Sequence, residues 1–292
     1  MIQLFQYYKI KPKIIALMLF AMSFGTNLFV YTIVEAGMSH VYSFFLVAFL
    51  LAACFKCFVK GEKNQLWKCS FLLGLIVLSR PINALVVLFI PFLFPTLKGF
   101  FNVLRKYLTS WNSIIKLVVP FLVVIAIQLL YYKLATDHFL VYSYDEEGFS
   151  FSNPEWVNFL FSYKKGLFLY TPMYLLGVVS LFFVKGFTFF QKSAWLIAMA
   201  LIVYVFSSWW MWFYGGSFSA RVMVEYIPLF MLPSALLLTQ LKGSQRAVIT
   251  TLVLILVIVC QIQSYQYRYY EIHYGDMTKE KYWEVFLLRN RF

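Results

Sequence analysis

Two arginines, a histidine and a few carboxylates stand out in this chain because nearly everything around them is apolar. Glu35 and His40 flank a tight turn in VEAGMSH, and Arg80 and Asn83 bracket a proline in SRPIN. Asp145, Glu146 and Glu147 form an acidic triplet. Arg221 and Glu225 follow the aromatic turn WWMWFYGGSFSA, which carries Trp209, Trp210, Trp212 and Tyr214. A carboxylate can take a proton as a general base or help hold a divalent cation. An arginine clamps phosphate through two parallel hydrogen bonds. Aromatic rings stack on sugars or line a groove for a lipid tail. One face offering all three suits an enzyme acting on a phosphate-linked lipid. The expected catalytic residues are Glu35, His40 and Asp145, and the expected substrate-binding residues are Arg80, Asn83, Arg221, Glu225, Trp210 and Tyr214.

Each has a plainer reading. Glu35 can cap a chain at a membrane surface, and Arg80 can snorkel to water along its own stem. Arg221 and Glu225, four residues apart, can pair on one helix face. The tryptophans fit an interfacial aromatic belt. No metal ligands are assigned, although a divalent metal on the carboxylates stays open. Cys54 and Cys57 form a CxxC with no second pair, which reads as packing. No GxxxxGK[ST] or GxGxxG pattern occurs, which argues against a soluble nucleotide substrate.

The elements that must position these groups are membrane spans. The 292 residues are 62% hydrophobic and 13% charged, where a soluble domain carries about 25% charge to wet its surface. Uncharged runs near the roughly 20 residues needed to cross hydrocarbon recur along the chain. They are continuous, not alternating, which speaks against a β-barrel. The run from Ile14 to Val34 has no cleavage site at its end and reads as a true span, not a signal peptide. The formal charge of +13 is scattered between apolar runs and forms no patch for nucleic acid.

Nine hydrophobic segments are expected, at 14–34, 38–58, 66–79, 82–97, 114–134, 167–184, 193–212, 222–241 and 247–264. Placing the N-terminus in the cytoplasm puts 15 of the 25 basic residues on that side with a single acid, Glu62. This agrees with the positive-inside rule, under which Lys and Arg in short loops stay cytoplasmic. Segments three and four are short: residues 69–79 rise only about 16 Å as a helix. A hairpin turning at Arg80-Pro81 is expected there, because proline breaks the helix. An arginine at that depth is costly unless paired or used. The expected fold class is therefore all-α, a polytopic transmembrane bundle forming one domain over 1–292. Residues 135–166 would be an extracytoplasmic loop and 265–292 an extracytoplasmic tail. A multi-pass protein of the inner (plasma) membrane follows.

Four stretches resemble membrane glycosyltransferases of the GT-C type, which use polyprenyl-phosphate sugars. They are GTNLFVYTIVEAGMSHVYSFFLVAFLL (25–51), GLIVLSRPINALVVLFIP (74–91), LFSYKKGLFLYTPMYLLG (160–177) and WWMWFYGGSFSARVMVEYIPLFMLP (209–233). MTKEKYW (277–283) resembles the C-terminal end of such bacterial proteins. Relatives in that class include protein O-mannosyltransferases and the aminoarabinose transferase of lipid A. The resemblance implies a polyprenyl-phosphate-linked sugar as donor, a lipid or glycan hydroxyl as acceptor, and an inverting displacement outside the cytoplasm. Members carry further spans ahead of the region matched here, with an acidic catalytic base in the first outer loop. The resemblance thus implies that this chain corresponds to the C-terminal part, lacks that base, and offers Glu35 as a second acidic position. A non-catalytic fragment or subunit, and a flippase of lipid-linked glycans, are the alternatives. The flippase is disfavoured by the absence of a repeat and of midplane ions.

Overall fold

Long apolar runs can satisfy their backbone in lipid only by coiling, since no water is there to pair with an open strand. The computed structural model describes residues 1–141 and 147–288 and is helical almost throughout. Among the described residues the only β feature is an isolated antiparallel bridge, Phe149 with Trp209. The α-helices are α1 (Ile2–Tyr7), α2 (Pro12–Phe24), α3 (Ser39–Cys54), α4 (Leu66–Ser79), α5 (Leu97–Leu108), α6 (Trp111–Thr136), α7 (Trp156–Phe161), α8 (Leu167–Tyr170), α9 (Met173–Phe183), α10 (Phe189–Ser207), α11 (Ile227–Gln240), α12 (Gly243–Arg268) and α13 (Lys279–Val285). Among the described residues five helices are long and apolar enough to cross a membrane: Ser39–Val59, Trp111–Thr136, Phe189–Ser207, Arg221–Gln240 and Gly243–Arg268. A bent pair, Pro81–Leu93 with Leu97–Leu108, would make a sixth, and α2 and α9 are shorter apolar helices. The chain reads as a multi-pass membrane protein.

The segments expected at 14–34, 82–97 and 167–184 differ from single α-helical spans. The first stops at Gly25 and resumes as a π-helix at Val30–Val34. The second is a 3-10 helix, Pro81–Leu93, with prolines near both ends removing backbone donors. At about 2.0 Å per residue its 13 residues cover about 26 Å, whereas an α-helix of that length would cover about 20 Å. The tighter coil lets a short run come close to the hydrocarbon thickness. The third is split between α8 and α9 at Thr171-Pro172.

The chain groups into two compact units. One comprises Tyr42–Gly148 and Phe187–Ile202. Its centre is the pairing of α4 with α6, which small residues on α4 allow. A Cβ on Gly74 would lie 3.0 Å from Val124 Cβ. Ser70, one turn earlier, donates to Leu117 O at 2.5 Å and accepts from Phe121 N at 3.1 Å. It thereby enters the α6 ladder beside Pro120, where the proline has already removed a donor.

The other unit comprises Met1–Val41, Phe149–Gly186 and Val203–Phe292. Its core is α11, buried at every residue from Ile227 to Leu238. Helix α9 lies against it at Gly177, where a Cβ would meet Phe230 Cβ and O at 2.7 Å. The break after α2 has the same cause: a Cβ on Gly25 would fall 3.0 Å from Val257 Cγ2 on α12 and 3.1 Å from Met173 Cγ on α9. Thr26 repairs the break by donating to Met22 O at 2.7 Å and accepting from Leu28 N at 3.2 Å. Beside the core, Tyr170, Phe218, Tyr267 and Tyr282 pack together with Val30, Cys260, Ile272 and Met277.

Candidate functional site

Arg221 opens a 3-10 turn, Arg221–Tyr226, that runs straight into α11. The four residues before it, 217–220, are all buried and follow no regular helix, with Ser219 at φ +57°. Buried irregular backbone must find partners, because an unpaired peptide group costs about as much as a lost hydrogen bond. Here side chains supply them. Lys165 Nζ donates to Ser217 O. Tyr31 Oη accepts from Phe218 N at 2.9 Å and lies 3.0 Å from Phe218 O. Thr171 Oγ1 is 3.1 Å from Ser219 Oγ, and Asn27 Nδ2 donates to Ala220 O at 3.3 Å. Tyr174 Oη reaches Asn27 Oδ1 at 2.9 Å, locking that amide in turn. The segment that presents Arg221 is thus clamped from two parts of the chain, residues 27–31 and residues 165–174.

Around this clamp three charged groups keep unused hydrogen-bonding capacity. Glu35 follows the π-helix Val30–Val34; its Oε1 accepts from Tyr267 Oη at 2.5 Å, and its Oε2 is buried with no partner among the described residues. Arg221 sends Nη1 towards Gly216 O at 3.5 Å and Met38 Sδ at 3.9 Å, while its Nε is buried and unpartnered among the described residues. Lys165 is 2% exposed and has one hydrogen-bond acceptor, Ser217 O, for its three protons. Burial pushes the Lys165 ammonium down to about 7; the negative charge of Glu35 opposes that shift, and the charges of Arg221 and Lys164 add to it. One carboxylate and two cations are therefore close enough to act on one another. The Lys165 ammonium also lies 5.8 Å from the Tyr267 ring centroid.

His40 and Glu225 form a buried pair, Nδ1 to Oε1 at 2.9 Å, with side chains 1% and 0% exposed. Glu225 thus turns to the first helical turn of α3, not to Arg221 four residues earlier; the 3-10 coil between them is not the α-helical spacing that pairing requires. The His40 ring is 5.8 Å from that of Tyr31, so the pair adjoins the clamp.

Tyr214 takes φ +55° and donates its hydroxyl to Phe206 O at 2.9 Å, and Trp210 is exposed. Arg80 and Asn83 belong to the other unit, where Asn83 Nδ2 donates to Ser43 Oγ at 2.7 Å. Asp145, with Glu146, lies outside the described residues. The described residues hold no group of three His, Cys, Asp or Glu side chains arranged for a metal. Lys165, Tyr267, Tyr31 and Asn27 were not singled out by sequence. The available signal was Lys164-Lys165 followed directly by GLFLY, a charge pair with no acidic neighbour against an apolar run. Comparison of the chain with protein-family models, with curated proteins and with solved structures finds no match.

Proposed function

We propose that this chain is a membrane glycosyltransferase, or the C-terminal part of one, moving a sugar from a polyprenyl-phosphate donor to a hydroxyl of a lipid or glycan acceptor. The observation that carries the reading is the cluster of Glu35, Arg221 and Lys165: Glu35 and Arg221 are half-buried and each keeps one buried atom without a partner among the described residues, and Lys165 is buried with protons to spare. A phosphodiester headgroup needs cations where charge develops on the leaving phosphate, and Arg221 and Lys165 supply two. An acceptor hydroxyl needs a base, and Glu35 Oε2 is free to be one while Tyr267 fixes Oε1. In the proposed step the acceptor oxygen bonds to the anomeric carbon. The bond from that carbon to the phosphate oxygen breaks, its electron pair leaves with the phosphate, and the proton passes to Glu35. The anomeric configuration inverts. An inner-membrane location, a cytoplasmic N-terminus and a site on the extracytoplasmic face belong to the same proposal, supported by the distribution of Lys and Arg between loops.

The test is transfer of radiolabelled sugar from polyprenyl phosphate to extracted envelope lipid and glycan, with the purified chain in proteoliposomes. Transfer that falls at least 100-fold in Glu35→Gln and in Arg221→Gln supports the reading. Donor binding without transfer by the parent chain would assign it instead to a non-catalytic subunit, and neither binding nor transfer would refute the proposal.

A further inference from the structure

Helix α5 carries an apolar stripe that the described residues leave exposed. Leu97, Phe101, Leu104 and Leu108 recur at helical spacing on one side, and all four are exposed, at 52%, 54%, 38% and 49%. Lys98, Asn102, Arg105, Lys106 and Thr109 form the adjoining polar face, also exposed. The remaining side faces inwards through Tyr107, whose hydroxyl donates to Cys57 O at 3.2 Å and whose ring meets Phe58 edge-on at 5.7 Å. That anchor fixes the roll of the helix, so the stripe and the cations cannot exchange places.

The position of α5 along the chain says what covers the stripe. It joins the apolar 3-10 helix Pro81–Leu93, whose 13 residues cover about 26 Å, to α6, which is long and apolar enough to cross a membrane. Both of its ends are therefore held at the same membrane surface. The axis turns by 116° between Pro81–Leu93 and α5. A helix that turns this sharply off a membrane-crossing segment runs close to the bilayer plane. Thr96 caps it there by accepting from Gly99 N at 3.1 Å, which satisfies a donor left open at the turn. Three residues beyond α5, Trp111 is 75% exposed at the start of α6, as an interfacial tryptophan would be.

We infer that α5 is an in-plane interfacial helix. Its Leu97-Phe101-Leu104-Leu108 stripe sits at the headgroup–acyl boundary, and Lys98, Arg105 and Lys106 bind the headgroups of anionic lipids. An apolar face beside a Lys/Arg-rich face is the pattern of helices that lie in a membrane surface. Each basic residue near an anionic leaflet contributes about a five-fold preference for charged lipid. Glu62 is the only acid in the loops nearest in sequence, and Lys56, Lys60, Lys63 and Lys68 flank it, so the surroundings reinforce the preference. The inference is independent of the proposed enzymatic activity.

The test places a fluorophore at Phe101→Cys and, separately, at Asn102→Cys. The four native thiols are buried, and the unlabelled parent chain serves as the check that they stay unreacted. The labelled chain is reconstituted in phosphatidylcholine vesicles holding a minor fraction of a bromine-bearing lipid. The expected result is strong quenching at position 101 and weak quenching at 102. At 101 bromophosphatidylglycerol should quench more than bromophosphatidylcholine, and Lys98→Gln/Arg105→Gln/Lys106→Gln should abolish that difference while leaving the depth of the probe unchanged. Equal quenching at both positions, or no preference for the anionic lipid, overturns the inference. Absence of quenching at 101 also overturns it, and loss of that shielding on dilution into excess lipid would show a second copy or another protein on the stripe.

Discussion

Adding one methyl group at Gly177 should separate α9 and α11, the helices at the core of the unit that holds the charged cluster. An alanine Cβ there would stand 2.7 Å from Phe230 Cβ, 2.7 Å from Phe230 O and 2.9 Å from Phe230 Cα. Carbon atoms pack at about 3.5–4.0 Å, so relief requires a displacement of roughly 1 Å. The clashing atoms are backbone or next to it, and no rotamer change moves them. Overpacking of this kind costs about 1–3 kcal/mol, and three simultaneous contacts argue for the upper end. Alanine regains about 1 kcal/mol through its better helix propensity. The net loss for Gly177→Ala is then about 1–2 kcal/mol, or roughly 2–8 °C in apparent Tm for a chain of this size. Gly177→Val lacks that compensation and should lose more than about 3 kcal/mol. Because α11 continues directly from the turn that begins at Arg221, the same displacement should lower sugar transfer. The measurement is thermal unfolding in nanodiscs at a fixed scan rate, with Gly37→Ala as control, since a Cβ on Gly37 meets nothing within 4 Å. If Gly177→Ala and Gly177→Val melt with the parent and the Gly37→Ala chain, the close approach of α9 and α11 is wrong.

Tyr267→Phe removes the hydrogen bond at 2.5 Å that holds Glu35 Oε1. A hydrogen bond to a charged group contributes about 1.5–3 kcal/mol, so transfer should fall roughly 10- to 100-fold with the helical circular dichroism unchanged; undiminished transfer would remove Tyr267 from the site. Lys165, with its ammonium pushed down to about 7 in the folded chain against 10.5 ordinarily, makes the unfolded chain the better proton binder between those values. Stability should therefore rise from pH 7 towards pH 10 and lose part of that slope in Lys165→Met, read as midpoints of denaturant unfolding at each pH. His40→Leu breaks the buried pair with Glu225 and should destabilise by about 3–5 kcal/mol, and adding Glu225→Leu should recover part of the loss. A double variant no more stable than the single one would show that the pair is not coupled.

The apolar runs at 38–58, 114–134, 222–241 and 247–264 were legible because hydrophobicity over about 20 residues is a local property, and helices occupy them. The failures have nonlocal causes. Gly25 interrupts an otherwise continuous run because Val257 and Met173, far away in sequence, lie only 3.0 and 3.1 Å from where a Cβ would stand. The expected segment 193–212 extends past its helix: α10 ends at Ser207, Trp209 joins the isolated bridge, and Trp210 and Trp212, apolar by type, lie in turns. Residues 82–97 were apolar enough to be noticed, yet composition does not distinguish a 3-10 coil from an α-helix. In the site, Glu35 and Arg221 were legible as isolated charges in apolar surroundings. Tyr267 was not, because it is one of several tyrosines in YQYRYY and only the packing shows which of them reaches a carboxylate.

Helix α11 is of membrane-spanning length with the turn before it, yet its surface is covered by its own chain. For most of its length hydrocarbon is not its solvent. Its side chains are therefore selected for fit, not for solubility in lipid, which is why Ser234 and two prolines can occupy it. The contrast is α6, where Val124 is the one fully buried residue and the side turned away from α4 is exposed. Replacing bilayer by detergent exchanges the surroundings of that outer side of α6 and leaves those of α11 as they were. Residues 222–226, which lead from Arg221 into α11, are buried in the same way, so the packing beneath Arg221 travels with the protein from one amphiphile to another.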